Sequence, residues 1–193
     1  MKTRLSRDIG YGKATSFYRH AVARLLKRLG KDPRWHTTLA VNALPSERYA
    51  CWPRALNRIY QGSGNLGDRM GFIFCQLHPH PTVIIGTDSP QLEPRDIATA
   101  FRALGRHDVV IGPANDGGFW GIGWSQRQAA PDLFKDVRWS TEHSMADTLR
   151  SLPAAATVNM LSPHIDVDER ADFVALRQQF GPFRYGPWNI NKF

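Results

Sequence analysis

Two aspartates stand where buried strands end. Thr82-Val83-Ile84-Ile85 is an apolar run that leads into Gly86-Thr87-Asp88-Ser89-Pro90. Val109-Val110-Ile111 leads into Gly112-Pro113-Ala114-Asn115-Asp116-Gly117-Gly118-Phe119-Trp120. Each strand delivers a short polar loop with one carboxylate, followed by Pro or by Gly-Gly. Carboxylates at strand ends, in loops whose backbone can come close to a ligand, fit a metal-assisted site for a phosphorylated substrate. Each also has a structural competitor. Asp88 before Ser-Pro suits an Asx-turn or a helix cap, and Asp116-Gly117-Gly118 suits a hairpin turn. Gly112, Gly121 and Gly123 around the second loop provide more backbone freedom than a hairpin requires.

Other segments offer weaker chemistry. Gln61-Gly62-Ser63-Gly64-Asn65-Leu66-Gly67 opens a helix, an arrangement that suits an anion at a helix N-terminus. Asp166-Val167-Asp168 follows one strand and precedes a helix, where Asp168 could serve only as a cap. Cys51 and Cys75 lack metal-like spacing, and His78 and His80 lie in a Pro-rich turn. No Gly-x-Ser-x-Gly elbow or Cys–His arrangement argues for covalent catalysis.

The elements that must position these residues alternate along the chain. Helices are expected over Ala14–Leu29, Leu66–Leu77, Pro94–Leu104, Thr141–Leu152 and Glu169–Phe180. Strands are expected over Thr37–Val41, Thr82–Ile85, Val109–Ile111, Phe119–Trp124 and Thr157–Leu161. In the first helix Phe17, Ala21, Leu25 and Leu29 form one stripe. This alternation predicts a single α/β domain over residues 1–180 around a mainly parallel sheet, with an irregular Gly-, Pro- and aromatic-rich tail over 181–193. In such sheets ligands bind beyond the carboxyl ends of the strands, where Asp88 and Asn115-Asp116 fall.

At 193 residues the chain can bury a core without disulfides or structural metal. The N-terminus has charge but no apolar h-region, and no apolar run reaches transmembrane length, so a cytoplasmic protein is expected. The net charge of +8 is uneven: residues 1–60 hold 13 Lys/Arg against 3 Asp/Glu, the remainder 12 against 14. A basic third facing an acidic remainder fits either a nucleic-acid surface or cations held over a polyphosphate. Basic-aromatic interleaving of the single-strand-binding kind is absent, which disfavours nucleic acid. Arg24, Lys27, Arg28 and Lys31 read as a solvated helix face.

Six ordered motifs span nearly the whole chain: Lys2-Thr3-Arg4-Leu5, Gln61-Gly62-x-Gly64-x-Leu66-Gly67-x-Arg69-Met70, Gly86-Thr87-Asp88-Ser89-Pro90, Gly112-Pro113-Ala114-x-Asp116-Gly117-Gly118, Val137-x-Trp139-Ser140-Thr141 and Asp166-Val167-Asp168. The set resembles a bacterial glycosyltransferase-A-like family of unknown function labelled radical-SAM/selenodomain-associated transferase. It is more distantly similar to phospholactate and molybdenum-cofactor guanylyltransferases, which share the nucleotide-diphospho-sugar transferase fold. The resemblance implies a Rossmann-like three-layer fold and a transferase that uses a nucleotide or sugar nucleotide with Mg²⁺ or Mn²⁺. The transferred group stays open between a sugar and a nucleotidyl group, with an inactive binding protein as a further alternative.

On this resemblance Asp88 and Asp116 are the catalytic pair and, with Asp166, the metal ligands. Lys2 and Arg4 would clamp phosphates, while Gln61, Gly62, Gly64, Gly67, Arg69 and Thr87 would contact the nucleotide. Asn115, Gly117, Gly118, Phe119 and Trp120 would line the acceptor side. Three departures stand out. Members of the fold begin with a central strand before the Lys-Thr-Arg loop, whereas this sequence starts at Met1-Lys2. The first strand is therefore expected to be absent, with roughly twenty residues upstream lost to a misplaced start codon or a shortened chain. Asn115 replaces an acid, which would weaken a metal contact, and Gly121 replaces a bulkier residue, which would widen the pocket floor.

Overall fold

The computed structural model describes residues 7, 10–42, 55–127 and 133–165. The chain in these segments runs α1 (Tyr11–Leu29), β1 (Thr38–Val41), β2 (Asn57–Tyr60), α2 (Leu66–Gln76), β3 (Thr82–Ile85), α3 (Pro94–Leu104), β4 (Val109–Pro113), β5 (Phe119–Trp124), α4 (Ser144–Ser151) and β6 (Val158–Met160). The expected closing helix over 169–180, the 181–193 tail, Cys51 and the motif residues Lys2, Arg4, Asp166 and Asp168 lie outside the described residues.

Four strands form one sheet in the order β3-β5-β4-β6, and β1 pairs in parallel with β2. β5 is antiparallel to both β3 and β4, while β6 is parallel to β4. Three of the four strands therefore share a direction, but two of the three ladders are antiparallel, so the described sheet is mixed rather than mainly parallel. The physical reason for the reversed strand is the Asp116-Gly117-Gly118 turn, which sends β5 back between β4 and β3. Among the described residues β1 pairs only with β2 and β3 only with β5, so each has one edge without a strand partner.

The apolar pattern of the strands sorts side chains to two helical layers. Val110 faces Leu25 and Leu29 of α1 and Ile97 and Leu104 of α3. Its neighbours Val109 and Ile111 face Met70 and Phe74 of α2 on the opposite side, where Leu149 of α4 also packs. All three strand residues are fully buried, and each such burial contributes about 1.5–3 kcal/mol. The result is a helix–sheet–helix sandwich.

Local signals account for the helix ends. In α2 the Asn65 side chain accepts from the Asp68 N–H at 3.0 Å while Asp68 accepts from the Asn65 N–H at 2.8 Å, a reciprocal cap. Glu93 and Asp96 cap α3 in the same manner, with Pro94 as its first residue. Expectation and structure differ in several places, among them α1, which starts at Tyr11 rather than Ala14, and β4, which runs to Pro113 rather than Ile111. β2 carries one aliphatic residue among four, Asn57-Arg58-Ile59-Tyr60, and so gives no apolar run to detect. α4 starts at Ser144, three residues after the expected Thr141, because Thr141 is engaged in the preceding turn through Oγ1 to the Arg138 carbonyl at 2.8 Å. Arg28 is not merely part of a solvated face: its guanidinium donates to the Pro90 and Leu92 carbonyls at 3.1 and 2.6 Å.

No helix among the described residues is long and apolar enough to cross a membrane.

Candidate active site

Strand direction brings the chemistry to one end of the sheet. β3 and β4 point the same way, so the loops after Ile85 and Pro113 emerge together on either side of the start of β5. β6 runs parallel beside β4. Its continuation follows the same edge, with the Leu161 N–H donating to the Ile111 carbonyl at 2.8 Å and the His164 N–H to the Pro113 carbonyl at 3.0 Å. Described chain then reaches Ile165, the residue before Asp166.

The Asp88 loop is held on three sides. Gly86 N–H donates to the Trp120 carbonyl at 2.8 Å, which fixes the exit from β3. Thr87 Oγ1 lies 3.4 Å from the Tyr18 hydroxyl of α1, and Arg28 of the same helix grips Pro90 and Leu92. Gln91 Nε2 donates to the Ile165 carbonyl at 2.6 Å. Ser89 and Leu92 are buried, whereas Asp88 itself is half-buried. The loop is thus a fixed shelf with its carboxylate at the border of solvent.

The Asp116 loop is a hairpin turn, as its Asp-Gly signal allowed. Ala114 N–H donates to the Gly118 carbonyl at 3.0 Å, and Asp116 Oδ1 accepts from the Gly118 N–H at 2.9 Å. Gly117 has φ 82°, a region that favours glycine. One Asp116 oxygen is committed to the turn, which leaves the other for a ligand. Asn115 and Asp116 are exposed and Phe119 is half-buried.

Trp120 does not line an open acceptor face. The register of β4 and β5 slips between Gly112 and Pro113, so Gly112 opposes Gly121 and Pro113 opposes Phe119, leaving Trp120 as the extra residue. This bulge turns Trp120 away from the face shared by Ile122 and Trp124 and into the α1–α3 layer, where it is 2% exposed. Its indole N–H donates to the Ser162 carbonyl at 3.0 Å and its ring meets His164 edge to face at 5.3 Å. A Cβ at Gly112 would overlap that indole. Gly121 is likewise buried, packed against Ile84 and Ile85 of β3 rather than widening an open pocket floor.

The Gly-rich loop behaves differently from a bare phosphate cradle. Gly62 and Gly64 adopt φ 83° and 95° and fold over Phe72 and Asp68. The Asp68 carboxylate occupies the first turn of α2, the position an incoming anion would compete for. Gly67 is buried because Phe134 and Trp139 sit on its Cα; a Cβ there would lie 2.7 Å from each. Gln61 and Arg69 are half-buried, with Arg69 Nε donating to the Asn65 carbonyl at 3.2 Å. The loop joins the Asp116 hairpin through an aromatic chain in which Trp139 meets Phe119 edge to face at 6.3 Å and Phe134 at 5.8 Å.

Segment 137–141, a motif whose residue types suggest no chemistry, contacts both the 61–67 loop and the start of β5 through Trp139. Its anchor is Asp147 of α4, nearly buried, which accepts from Arg138 Nε at 2.7 Å and from the Arg138 N–H at 3.1 Å and also pairs with Arg150. The Arg138 guanidinium holds the Asp147 carboxyl well below the usual carboxylate range. The supports from Tyr18, Arg28 and Gln91 act through side-chain bonds across long sequence separations, two from Arg28 and one from each of the others, which no local pattern announces.

No group of three or more His, Cys, Asp or Glu side chains able to hold a metal exists among the described residues. The two candidate donors, Asp88 and Asp116, stand in loops at the same end of the sheet. That set fits Mg²⁺ or Mn²⁺ completed by substrate oxygens and water, and does not fit an all-protein cage.

A family of bacterial proteins described as "Uncharacterized protein conserved in bacteria (DUF2064)" matches residues 25–141, more than half of the chain. A crystal structure of a protein from Desulfovibrio desulfuricans G20, provisionally described as a nucleotide-diphospho-sugar transferase, superposes with a TM-score of 0.81. Sequence identity is 26%, over 95% of this chain and 83% of that one. No curated protein matches. The fold read from the alternating elements and the resemblance read from the six motifs are both borne out, and this chain belongs to the bacterial DUF2064 family.

Proposed function

We propose that this chain is a transferase that moves a sugar from a nucleotide-diphospho-sugar to an acceptor. The observation that carries the reading is the convergence of loops 86–92, 114–118 and 162–165 at one end of the sheet, in a fold shared with a protein of that description. In the reaction the acceptor oxygen bonds to the anomeric carbon as the bond from that carbon to the diphosphate oxygen breaks. The nucleoside diphosphate leaves with the electron pair, and the acceptor proton passes to a base.

Asp88 would hold the divalent cation from the rigid shelf after β3, with the uncommitted oxygen of Asp116 or a carboxylate oxygen of Asp166 as second ligand. Mg²⁺ or Mn²⁺, when bound, would neutralise charge on the departing diphosphate. Lys2, Arg4, Thr87, Gln61, Gly62, Gly64 and Arg69 form the nucleotide side of this reading. Gly67 supports it from beneath, by letting aromatic rings pack on α2. Asn115, Gly117, Gly118 and Phe119 form the acceptor side, with buried Trp120 as the support below them.

The test is product analysis with sugar nucleotides and nucleoside triphosphates, each with and without Mn²⁺. Release of nucleoside diphosphate from a sugar nucleotide, lost in Asp88→Asn, supports the reading. Pyrophosphate release from a triphosphate would replace it with nucleotidyl transfer. Failure to bind either class would leave a non-catalytic binding protein.

A further inference from the structure

The 134–145 segment touches both walls of the proposed cleft and is held in an unusual backbone shape. Phe134, Asp136 and Ser140 have φ of 75°, 57° and 61°, a region that side chains other than glycine rarely adopt. Such a run persists only where surrounding contacts over-determine it. Here the contacts are explicit. Arg138 is bound through backbone and side chain to Asp147. The Ser144 hydroxyl lies 3.0 Å from the Arg138 carbonyl and 2.8 Å from the Thr141 carbonyl, and Thr141 Oγ1 accepts from the His143 N–H at 3.2 Å.

From this clamp two arms extend. One is Trp139, whose indole lies on Gly67 at the start of α2 and against Phe119 at the start of β5. The other is the turn 141–145. A Cβ at Gly117 would overlap the Glu142 carbonyl, and the Met145 N–H donates to the Gly117 carbonyl at 3.0 Å. One strained, ion-paired segment therefore braces the 61–67 loop and the 114–119 loop at the same time.

We propose that Trp139 is a positioning residue that holds the 61–67 and 114–119 loops at a fixed separation, through the bracket anchored by Arg138 and Asp147. The consequence for substrate rests on the transferase reading: a sugar nucleotide held by one loop and presented to an acceptor at the other would be aligned by this spacing. The bracket itself does not depend on that reading.

The experiment compares Trp139→Ala, and Trp139→Phe as the milder variant, with Phe74→Leu. Phe74 stacks on Phe134 in the same cluster but lies on neither loop. Amide hydrogen exchange is followed in all four proteins. Trp139→Ala is expected to speed exchange about tenfold or more in both the 61–67 and 114–119 loops together, with Trp139→Phe intermediate, while Phe74→Leu leaves that pair of loops unchanged. Sugar-nucleotide affinity is measured in parallel, and the Trp139 variants are expected to weaken it about tenfold with little change in kcat at saturation. Exchange that rises in only one loop, in neither, or equally in Phe74→Leu would overturn the bracket. Exchange that rises in both loops of the Trp139 variants, while the wild-type protein binds no sugar nucleotide, would leave the bracket standing and sink the transferase reading instead.

Discussion

Gln91 donates its Nε2 hydrogen to the carbonyl of Ile165 at 2.6 Å, joining the shelf that carries Asp88 to the segment that leads to Asp166. The two partners are 74 residues apart in sequence. If the carboxylates after β3 and β6 act on one cation, this bond sets their spacing without touching either. Gln91→Ala is therefore expected to weaken Mn²⁺-dependent sugar-nucleotide binding about 10–100-fold, the usual cost of losing a support behind a ligand. Calorimetry checks this. An unchanged affinity would mean that the segments after β3 and β6 do not serve one site.

Asp88 and Asp116 are not equivalent. Asp88 sits half-buried on a shelf fixed by α1 and by β5, whereas Asp116 is exposed and spends one oxygen on its own turn. Asp88→Asn is expected to lower turnover on the order of a hundredfold or more, with the thermal midpoint close to wild type. Asp116→Asn keeps an amide oxygen that can still accept from the Gly118 N–H, so the turn survives and the loss is smaller. Steady-state kinetics of both variants decide the order, and a larger loss in Asp116→Asn would reverse the assignment.

Some of this was readable from the chain alone and some was not, for physical reasons. The boundaries of β3 and α3 followed from an apolar run and a proline at the first helical position, signals that act locally. β2 is not legible because a strand with little burial needs few apolar residues. Trp120 escaped for a different reason. Period-two alternation puts residues 120, 122 and 124 on one face, and only the bulge opposite Gly112 and Pro113 breaks that pattern. The candidate carboxylates were visible as strand-end residues. Their supports were not, since Tyr18, Arg28, Gln91 and Ile165 meet only after the layers close.

The Trp120 arrangement yields its own expectation. Gly112 is required by contact: any side chain there would drive into the indole that fills the bulge. Gly112→Ala is expected to destabilise the fold by about 1–3 kcal/mol or more, the range for overpacking a core. Trp120→Phe removes the donor to the Ser162 carbonyl, at a cost of about 1–3 kcal/mol if that carbonyl stays unpaired. Because Trp120→Phe also removes the ring atoms nearest residue 112, the two changes together are expected to cost less than the sum of each alone. Urea denaturation of the double-mutant set measures the coupling. Strict additivity would show that residue 112 does not feel the indole.

Acid stability follows from two carboxylates outside the proposed cleft. Asp147 is held low by Arg138, with Arg150 adding to the effect, and Asp108 is held low by the N–H and hydroxyl of Thr157 at 3.0 and 2.8 Å. A carboxylate whose folded-state pKa lies below its unfolded value stabilises the fold above the unfolded value, about 3.9 for Asp. That contribution fades as pH falls from roughly 5 through the lowered folded-state values, since proton uptake then favours the unfolded chain. The thermal midpoint is accordingly expected to be flat in these two groups from pH 7 to about 5 and to drop below that. Asp147→Asn should be less stable than wild type at pH 7, and the gap should narrow toward pH 3. Arg138→Leu should narrow the gap in the same direction while raising exchange in the 134–145 segment. A gap that stays constant between pH 7 and 3 would show that the Arg138–Asp147 pair is not what depresses this carboxyl group.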